Sequence, residues 1–339
     1  MLAMKVPEPM EARLVESLPE GEGWQFEPKW DGFRAIAGRD GGAVDIWSKS
    51  GKPLARYFPD IAAILGALPM TRFRVDGELI IPVGEALSFA ALQARLHPAA
   101  SRVEKLAREH PAQLMLFDCL ALDGKDLADR PLRERRAALE TFQRRAHHPD
   151  VLLSPASTSA AQAQAWLDES GGALDGVIAK RLDEPYRFGE RAMAKVKQLR
   201  TADCVVGGYR TGAKGEVASL LLGLFDEASK LDHVGYTSAF SSEDRAALTE
   251  VVTAHEGSPG FTGTAPGGPS RWNGGEAKPW VKLRHELVAE VVYDQITDRR
   301  FRHGTRFLRW RPDKAPRACT FDQLARELAP SELEALFAA

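Results

Sequence analysis

One lysine of the sequence lies where its amine could be held at the edge of a pocket. Lys29 ends a predicted strand and stands directly before an Asp31-Gly32 turn, with Arg34 beyond the turn. An amine fixed in this way can act as a nucleophile when its surroundings favour the neutral form. The alternative is a solvated surface lysine in a turn, and this segment alone does not decide between the two.

Two further segments place an acid and a glycine next to each other inside apolar runs. Asp76 and Glu78 flank Gly77 within residues 75–80, and Asp175 precedes an apolar stretch that ends at Lys180. A buried carboxylate is costly unless it finds a cation or a metal ion. Taken singly, each segment is more often a hairpin turn with a structural ion pair than a functional site.

Taken together, these segments resemble the covalent nucleotidyltransferase superfamily, and within it the ATP-dependent DNA ligases. Seven motifs follow the family's order and cover most of the chain: 29–34, 48–51 with 56–59, 76–78, 116–118, 175–180, 195–197 and 311–314. Each is a weak pattern, but their shared order argues against chance. Two positions depart from the family: Asp175 stands where many ligases have glutamate, and Lys49 stands where arginine, with its bidentate fork, is common.

The resemblance implies that Lys29 attacks the α-phosphate of ATP and releases pyrophosphate. It assigns catalytic roles to Lys29, Lys195, Lys197, Arg311, Asp313 and Lys314. It assigns nucleotide contacts to Glu27, Arg34, Lys49, Glu78, Phe117 and Lys180. In this set, Glu27 helps to select adenine, Phe117 stacks on the base, and Arg34 contacts the ribose or the nick. Without the resemblance, Phe117 is more often plain core.

The implied cofactors are ATP and Mg²⁺, for which Mn²⁺ is expected to substitute. The hard carboxylates of Glu78 and Asp175 are the expected metal ligands, and Lys195 and Lys197 are expected to neutralise the α-phosphate as charge builds. An ordinary lysine, with a pKa of about 10.4, is almost fully protonated at neutral pH. We therefore expect partial burial and neighbouring cations to favour the neutral amine of Lys29. The 311–314 motif is expected to reach the pyrophosphate only when its domain closes.

RNA ligases and capping guanylyltransferases share this lysine chemistry. The motif at 311–314 and the run 27–34 favour a DNA ligase that seals 5′-phosphate and 3′-hydroxyl breaks through a lysyl-AMP and a DNA-adenylate. They most resemble short two-domain bacterial repair ligases, such as ligase C or the ligase domain of ligase D. The alternative from another class is a non-catalytic nucleic-acid-binding barrel with a degenerate enzyme domain. The intact set of Lys29, Glu78, Lys195 and Lys197 argues against that alternative.

The elements that must position these residues predict an α+β fold. Residues 1–200 are expected to form an adenylation domain of antiparallel sheets and helices, and residues 201–339 an OB-fold β-barrel with a C-terminal helix. The predicted strands are 24–29, 44–48, 73–81, 113–122, 176–180, 195–199, 204–209, 219–225, 231–236, 286–292 and 305–309. The predicted helices are 101–110, 132–145, 157–170, 242–255 and 320–337, the last with a Thr320/Gln323 capping box. Residues 257–279, rich in glycine and proline, are expected to form a loop.

Composition limits the alternatives. The 339 residues suffice for two domains, 44% of them are hydrophobic, and no apolar run is long enough to span a membrane. The absence of a secretory signal and the three widely spaced cysteines favour a cytoplasmic, nucleoid-associated bacterial protein without disulfides or zinc fingers. The formal charge of −2 means that DNA contacts must be local, and the arginine-rich stretch 299–317 is a candidate that could equally be a solvated face.

The expected partner is nicked or broken duplex DNA, and a repair polymerase or an end-binding protein would suit a monomeric ligase of this kind. The first core strand begins barely twenty residues into the chain, so we expect no large DNA-encircling domain before it. Nick binding should then depend on a few phosphate contacts and be strongly sensitive to salt.

Overall fold

The computed structural model describes residues 8–84, 86–170, 173–267, 279–297, 299–302, 304–324 and 329–338. The chain divides into two compact units, the first comprising Met1–Gln198 with Glu327–Ala339 and the second Leu199–Arg326. None of the helices in the described ranges is long and apolar enough to cross a membrane.

The first unit contains two larger, mainly antiparallel sheets and a separate two-stranded sheet. Its strands are β1 (Ala12–Leu14), β2 (Trp24–Pro28), β3 (Phe33–Asp40), β4 (Ala43–Ser48), β5 (Arg72–Ile80), β6 (Pro82–Val83), β7 (Ala86–Leu87), β8 (Gln113–Leu122), β9 (Lys125–Asp126), β10 (Val151–Leu153), β11 (Val177–Arg181) and β12 (Met193–Val196). One sheet has the order β1-β12-β11-β2, and the other has the order β10-β8-β5-β3-β4 with β9 beside β8. The predicted site residues of the first unit therefore lie on, or directly beside, the strands of these two sheets.

Helices of the first unit cover these sheets. They are α1 (Pro59–Ala67), α2 (Phe89–Arg95), α3 (Ala100–Glu109), α4 (Leu132–Ala146) and α5 (Ala160–Glu169). Helix α5 begins three residues later than predicted because the Ser159 side chain caps it, accepting from the Gln162 amide, while Ser157 bridges to Phe26 of β2. The prediction missed β3, α1 and α2, although β3 is the strand that joins β4 and β5 into one sheet.

The second unit is built on a curved sheet. Its strands are β13 (Arg200–Thr211), β14 (Val217–Phe225), β15 (Leu231–Thr237), β16 (Val281–Lys282), β17 (Val288–Tyr293), β18 (Ile296–Thr297), β19 (Arg300–Phe301) and β20 (Arg306–Trp310). The main path is β15-β14-β13-β17-β20, and a bridge between Thr237 and Thr305 connects its two ends. Helix α6 (Ser242–Thr253) starts with a capping box between Ser241 and Asp244. In the predicted loop, residues 257–267 form bends and one turn without a helix or strand, and residues 268–278 lie outside the described ranges.

The prediction for the C-terminal segment was wrong in three respects. Instead of one helix over 320–337, the described residues form a 3-10 turn (Phe321–Gln323) and a short helix, α7 (Pro330–Ala338). The Thr320/Gln323 capping box does not form, because the Gln323 side chain instead hydrogen-bonds the backbone of Asp203. Helix α7 also belongs to the first unit rather than to the second domain, since Phe337 packs edge-on against Trp30 and Trp166.

Candidate active site

Lys29 follows directly after β2 and is held by the backbone of the segment that precedes β11. Its amide donates to the Gly176 carbonyl at 2.8 Å, and its carbonyl accepts from the Asp175 amide at 2.9 Å. This close pairing requires a glycine, because Gly176 has a φ of +132° and a Cβ there would overlap the Val196 carbonyl oxygen. Gly32 is constrained in the same way by the Leu79 carbonyl oxygen. The acid-glycine motifs therefore place Lys29 through backbone contacts.

The Lys29 side chain lies in a cluster of charges. Its amine pairs with the carboxylate of Asp175, which is 8% exposed, and Lys197 Nζ pairs with the other carboxylate oxygen at 3.0 Å. Burial, followed by the positive charges of Lys29 and Lys197, lowers the pKa of Lys195. One acid is therefore shared by two lysines with a third lysine nearby, an arrangement suited to receiving a further anion such as a phosphate group.

A cavity of about 1200 Å³ opens beside Lys29, and all its lining residues belong to the first unit. The predicted site residues that line it are Glu27, Lys29, Arg34, Lys49, Glu78, Phe117, Lys180 and Lys195. Asp175 and Lys197 are not among the lining residues. Asp175 contacts Lys29, and Lys197 contacts Asp175. Sequence reasoning missed Lys52 and the backbone segment around Met10, which also line the cavity. Lys52 adjoins a quoted motif, but no local pattern marks Met10.

Glu27 and Lys180 form a buried ion pair at the cavity wall. Lys180 Nζ lies 2.7 Å from Glu27 Oε2, and the two side chains are 4% and 2% exposed. The other Glu27 oxygen accepts from Gln25 at 2.7 Å, so both carboxylate oxygens are engaged within the protein. Lys180 also donates to the Phe117 carbonyl at 3.1 Å. The pair thus fixes the position of Phe117, and the expected part of Glu27 in choosing adenine stays a prediction.

The two acids of β5 that flank Gly77 differ in their burial and in their partners. Asp76 is fully buried and holds Arg34 through two hydrogen bonds of 2.6 Å. Glu78 is half-buried and accepts from the Gly32 amide at 3.2 Å. Burial raises the pKa of Glu78 to about 7, and the charges of Arg34 and Lys29 oppose this shift. Glu78 is therefore a carboxylate that a further cation would stabilise.

Asp118, from the 116–118 motif, takes no part in lining the cavity. It forms a bidentate pair with Arg135 of α4, and both side chains are 1% exposed. Asp118 therefore joins β8 to α4 through a buried ion pair.

The motif at 311–314 forms its own network in the second unit. Arg311 pairs with Asp313 at 2.8 Å and with Asp203 at 3.0 Å, and Lys314 lies 3.7 Å from Asp203. The Arg311 guanidinium holds the pKa of Asp313 down at about 2. Several other arginines of the 299–317 stretch have protein partners as well: Arg299 with Asp232, Arg300 with His233, Arg302 with Gln295, Arg309 with Glu290 and Arg317 with Ser229. Their contact with DNA stays a prediction.

A lysine amine paired with a buried acid beside a cation-lined cavity is the arrangement expected of a nucleotidyltransferase. Family models described as "ATP dependent DNA ligase domain" and "ATP dependent DNA ligase C terminal region" match residues 1–197 and 213–314. The chain belongs to the ATP-dependent DNA ligases.

Named relatives cover most of the chain. It is 47% identical to DNA ligase C2 of Mycolicibacterium smegmatis over 93% of both chains. It is 44% identical to DNA ligase C of Mycobacterium tuberculosis over 95% of both. It is 30% identical to the multifunctional non-homologous end joining DNA repair protein LigD of M. tuberculosis, over 86% of this chain and 37% of that one. The resemblance stated from the motifs is confirmed by these matches.

Proposed function

We propose that this chain joins 5′-phosphate and 3′-hydroxyl ends of broken duplex DNA through an adenylate carried on Lys29. The observation that carries the proposal is the Lys29 amine, paired with Asp175 beside a cavity lined by Lys195 and other cations. Because the relative LigD is named a DNA repair protein, we propose that this chain also acts in DNA repair. We further propose that it acts at the nucleoid as a monomer, with a repair polymerase or an end-binding protein as its partner.

The reaction has three covalent steps. In the first, the Lys29 nitrogen bonds to the α-phosphorus of ATP, loses a proton, and pyrophosphate leaves with the electrons of the broken P–O bond. In the second, an oxygen of the DNA 5′-phosphate attacks the same phosphorus, so that the N–P bond breaks and the amine regains a proton. In the third, the 3′-hydroxyl attacks the 5′-phosphorus, loses its proton, and AMP leaves as the phosphodiester bond forms.

The side chains around Lys29 suit these steps. Asp175 and Lys197 orient the amine, and Lys195 offers positive charge to the α-phosphate as negative charge builds on it. The Glu27–Lys180 pair fixes Phe117, whose ring is the proposed platform for adenine. Lys49 lines the same cavity and pairs with Glu11 at 3.1 Å, so a phosphate would have to displace that carboxylate to bind Lys49.

The donor set fits a divalent cation at Glu78. Its carboxylate faces the cavity and is destabilised by burial, as the raised pKa of about 7 shows. Within the described ranges, no three His, Cys, Asp or Glu side chains cluster to hold a metal ion, so Mg²⁺ would take most of its ligands from phosphates and water. When bound, the ion would supply positive charge to the phosphates. Asp175, already shared by two lysines, is the weaker candidate ligand.

The test is transfer of label from ATP to the protein. Wild type and Lys29→Ala are incubated with Mg²⁺ and ATP or GTP labelled at the α-phosphate, and then chased with nicked duplex DNA. We expect label on the wild type from ATP alone, none on the variant, and discharge of the label by the nick. Label from GTP would indicate capping chemistry, and a wild type that takes no label would contradict the covalent mechanism.

A further inference from the structure

Arg34 is the cavity-lining arginine that the family resemblance places at the ribose or the nick. Its guanidinium is hydrogen-bonded on two sides and lies over the Phe117 ring, 4.5 Å from the ring centre. Nε and Nη2 donate to the two oxygens of Asp76, each at 2.6 Å. Nη2 also donates to the Met10 carbonyl at 3.3 Å. Among the residues that the structure describes, Nη1 makes no hydrogen bond, and Arg34 lines the cavity. The edge of the guanidinium that carries Nη1 is therefore the one available to a substrate.

A tyrosine outside the sequence motifs closes this arrangement into a ring. Tyr186 lies in the connection between β11 and β12 and donates its hydroxyl hydrogen to Asp76 Oδ2 at 2.6 Å. The same hydroxyl accepts from the Met10 amide at 2.9 Å. Because Arg34 bonds both Asp76 and Met10, the four residues form a closed cycle of hydrogen bonds. Every member of the cycle restrains its neighbours.

Tyr186 is built into the fold as a fixed donor. It is 4% exposed, its amide donates to the Ala128 carbonyl, and Arg135 lies 5.7 Å from its ring centre. Burial and the adjacent Asp76 carboxylate raise its pKa, so that the hydroxyl stays protonated and able to donate. Tyr186 does not line the cavity, and any effect on the reaction must therefore pass through the two members of the cycle that do, Arg34 and Met10.

We propose that Tyr186 is a positioning residue that, with the Met10 backbone, locks the Asp76 carboxylate and thereby aims Arg34 Nη1 into the cavity. This inference rests on the proposed function, because it identifies what orients one side chain of that site. A hydrogen bond to a buried carboxylate restrains the rotation of the carboxylate, and the bidentate pair passes that restraint to the guanidinium plane. Loss of the hydroxyl leaves Arg34 bound to Asp76, to the Met10 carbonyl and over the Phe117 ring, but it removes the bond that restrains the Asp76 carboxylate from the other side.

The experiment is a double-mutant cycle of Tyr186→Phe and Arg34→Lys. Lysine keeps a positive charge next to buried Asp76 and loses the bidentate fork, which protects folding. Two rates are measured separately: formation of the lysyl-adenylate from ATP, and sealing of a nick that is already adenylated. We expect Tyr186→Phe to slow, by about tenfold, the step that Arg34→Lys slows, and to add nothing in the Arg34→Lys background. Rates within twofold of wild type, multiplied effects in the double variant, or loss in a different step would overturn the proposal.

A matched control separates positioning from stability. Tyr209 donates to Glu256 at 2.5 Å in the second unit, so Tyr209→Phe removes the same kind of bond away from the cavity. We expect that variant to keep both rates.

An activity-independent readout is the ¹⁵N spectrum of the arginine side chains, with the Arg34 signal identified by its loss in Arg34→Lys. We expect rotation of the Arg34 guanidinium to become at least about threefold faster in Tyr186→Phe and to stay unchanged in Tyr209→Phe. Unchanged rotation in Tyr186→Phe would refute the positioning role. A wild type without adenylation but with this change in rotation would instead refute only the proposed function.

Discussion

Replacing Lys180 with methionine leaves the Glu27 carboxylate buried without its cation. The pair is 2.7 Å apart and its side chains are 4% and 2% exposed, so the carboxylate left behind would be poorly solvated. Breaking a buried pair by removing one member costs about 3–5 kcal/mol, because the remaining charge is uncompensated. We expect a loss of this size in the unfolding free energy of the first unit for Lys180→Met, and a similar loss for Glu27→Gln.

The double variant tests the reasoning, because it buries no charge. If the single losses come from an uncompensated charge, the double variant should lose less unfolding free energy than the two single variants together, by at least about 2 kcal/mol. Hydrogen exchange of the β2 and β11 amides, measured at increasing urea concentrations, gives these unfolding free energies for the first unit. Single losses below about 1 kcal/mol, or additive losses in the double variant, would refute the argument. Because Lys180 also holds the Phe117 carbonyl, Lys180→Met should raise the KM for ATP.

Two further predictions follow from the backbone and from a buried histidine. Gly176→Ala should cost about 3 kcal/mol or more and abolish lysyl-adenylate formation, because of the overlap with Val196 and the φ of +132°. The control Gly66→Ala, whose Cβ would lie 3.7 Å from its nearest neighbour, should leave adenylation intact, as labelled ATP would show. Burial, followed by the charges of two arginines, lowers the pKa of His233 to about 3. Below the ordinary histidine pKa near 6.5, the unfolded chain takes up a proton that the buried His233 does not. The unfolding free energy of the second unit should therefore fall by about 2 kcal/mol between pH 7.5 and pH 5. Urea unfolding at pH 7.5 and pH 5 measures the loss, and an equal loss in His233→Gln would assign it to other groups.

Local patterns predicted some elements well and others poorly, for physical reasons. The strand 113–122 coincides with β8 because its residues are almost continuously apolar and buried. Strand β3 was missed because Gly38, Arg34 and Arg39 interrupt its short run of small apolar residues, and pairing on both sides stabilises it instead. The helix over 320–337 was predicted from spacing alone, while Gln323 is used in a tertiary contact. Tyr186 left no local signal, since its partner Asp76 lies 110 residues away in the sequence.

The acid-glycine motifs explain why the candidate site could be predicted better than its surroundings. At three motif glycines, a Cβ would overlap or crowd a carbonyl oxygen of a nearby chain segment: Gly32 against Leu79, Gly77 against Met115 and Gly176 against Val196. A requirement of the backbone is visible in the sequence, because only glycine meets it. The preceding acids obey no such local rule. Asp76 holds an arginine while Asp175 is shared by two lysines, so the same two-residue pattern gives two different electrostatic functions. Motif order therefore locates the acids, and only their tertiary partners decide what each carboxylate does.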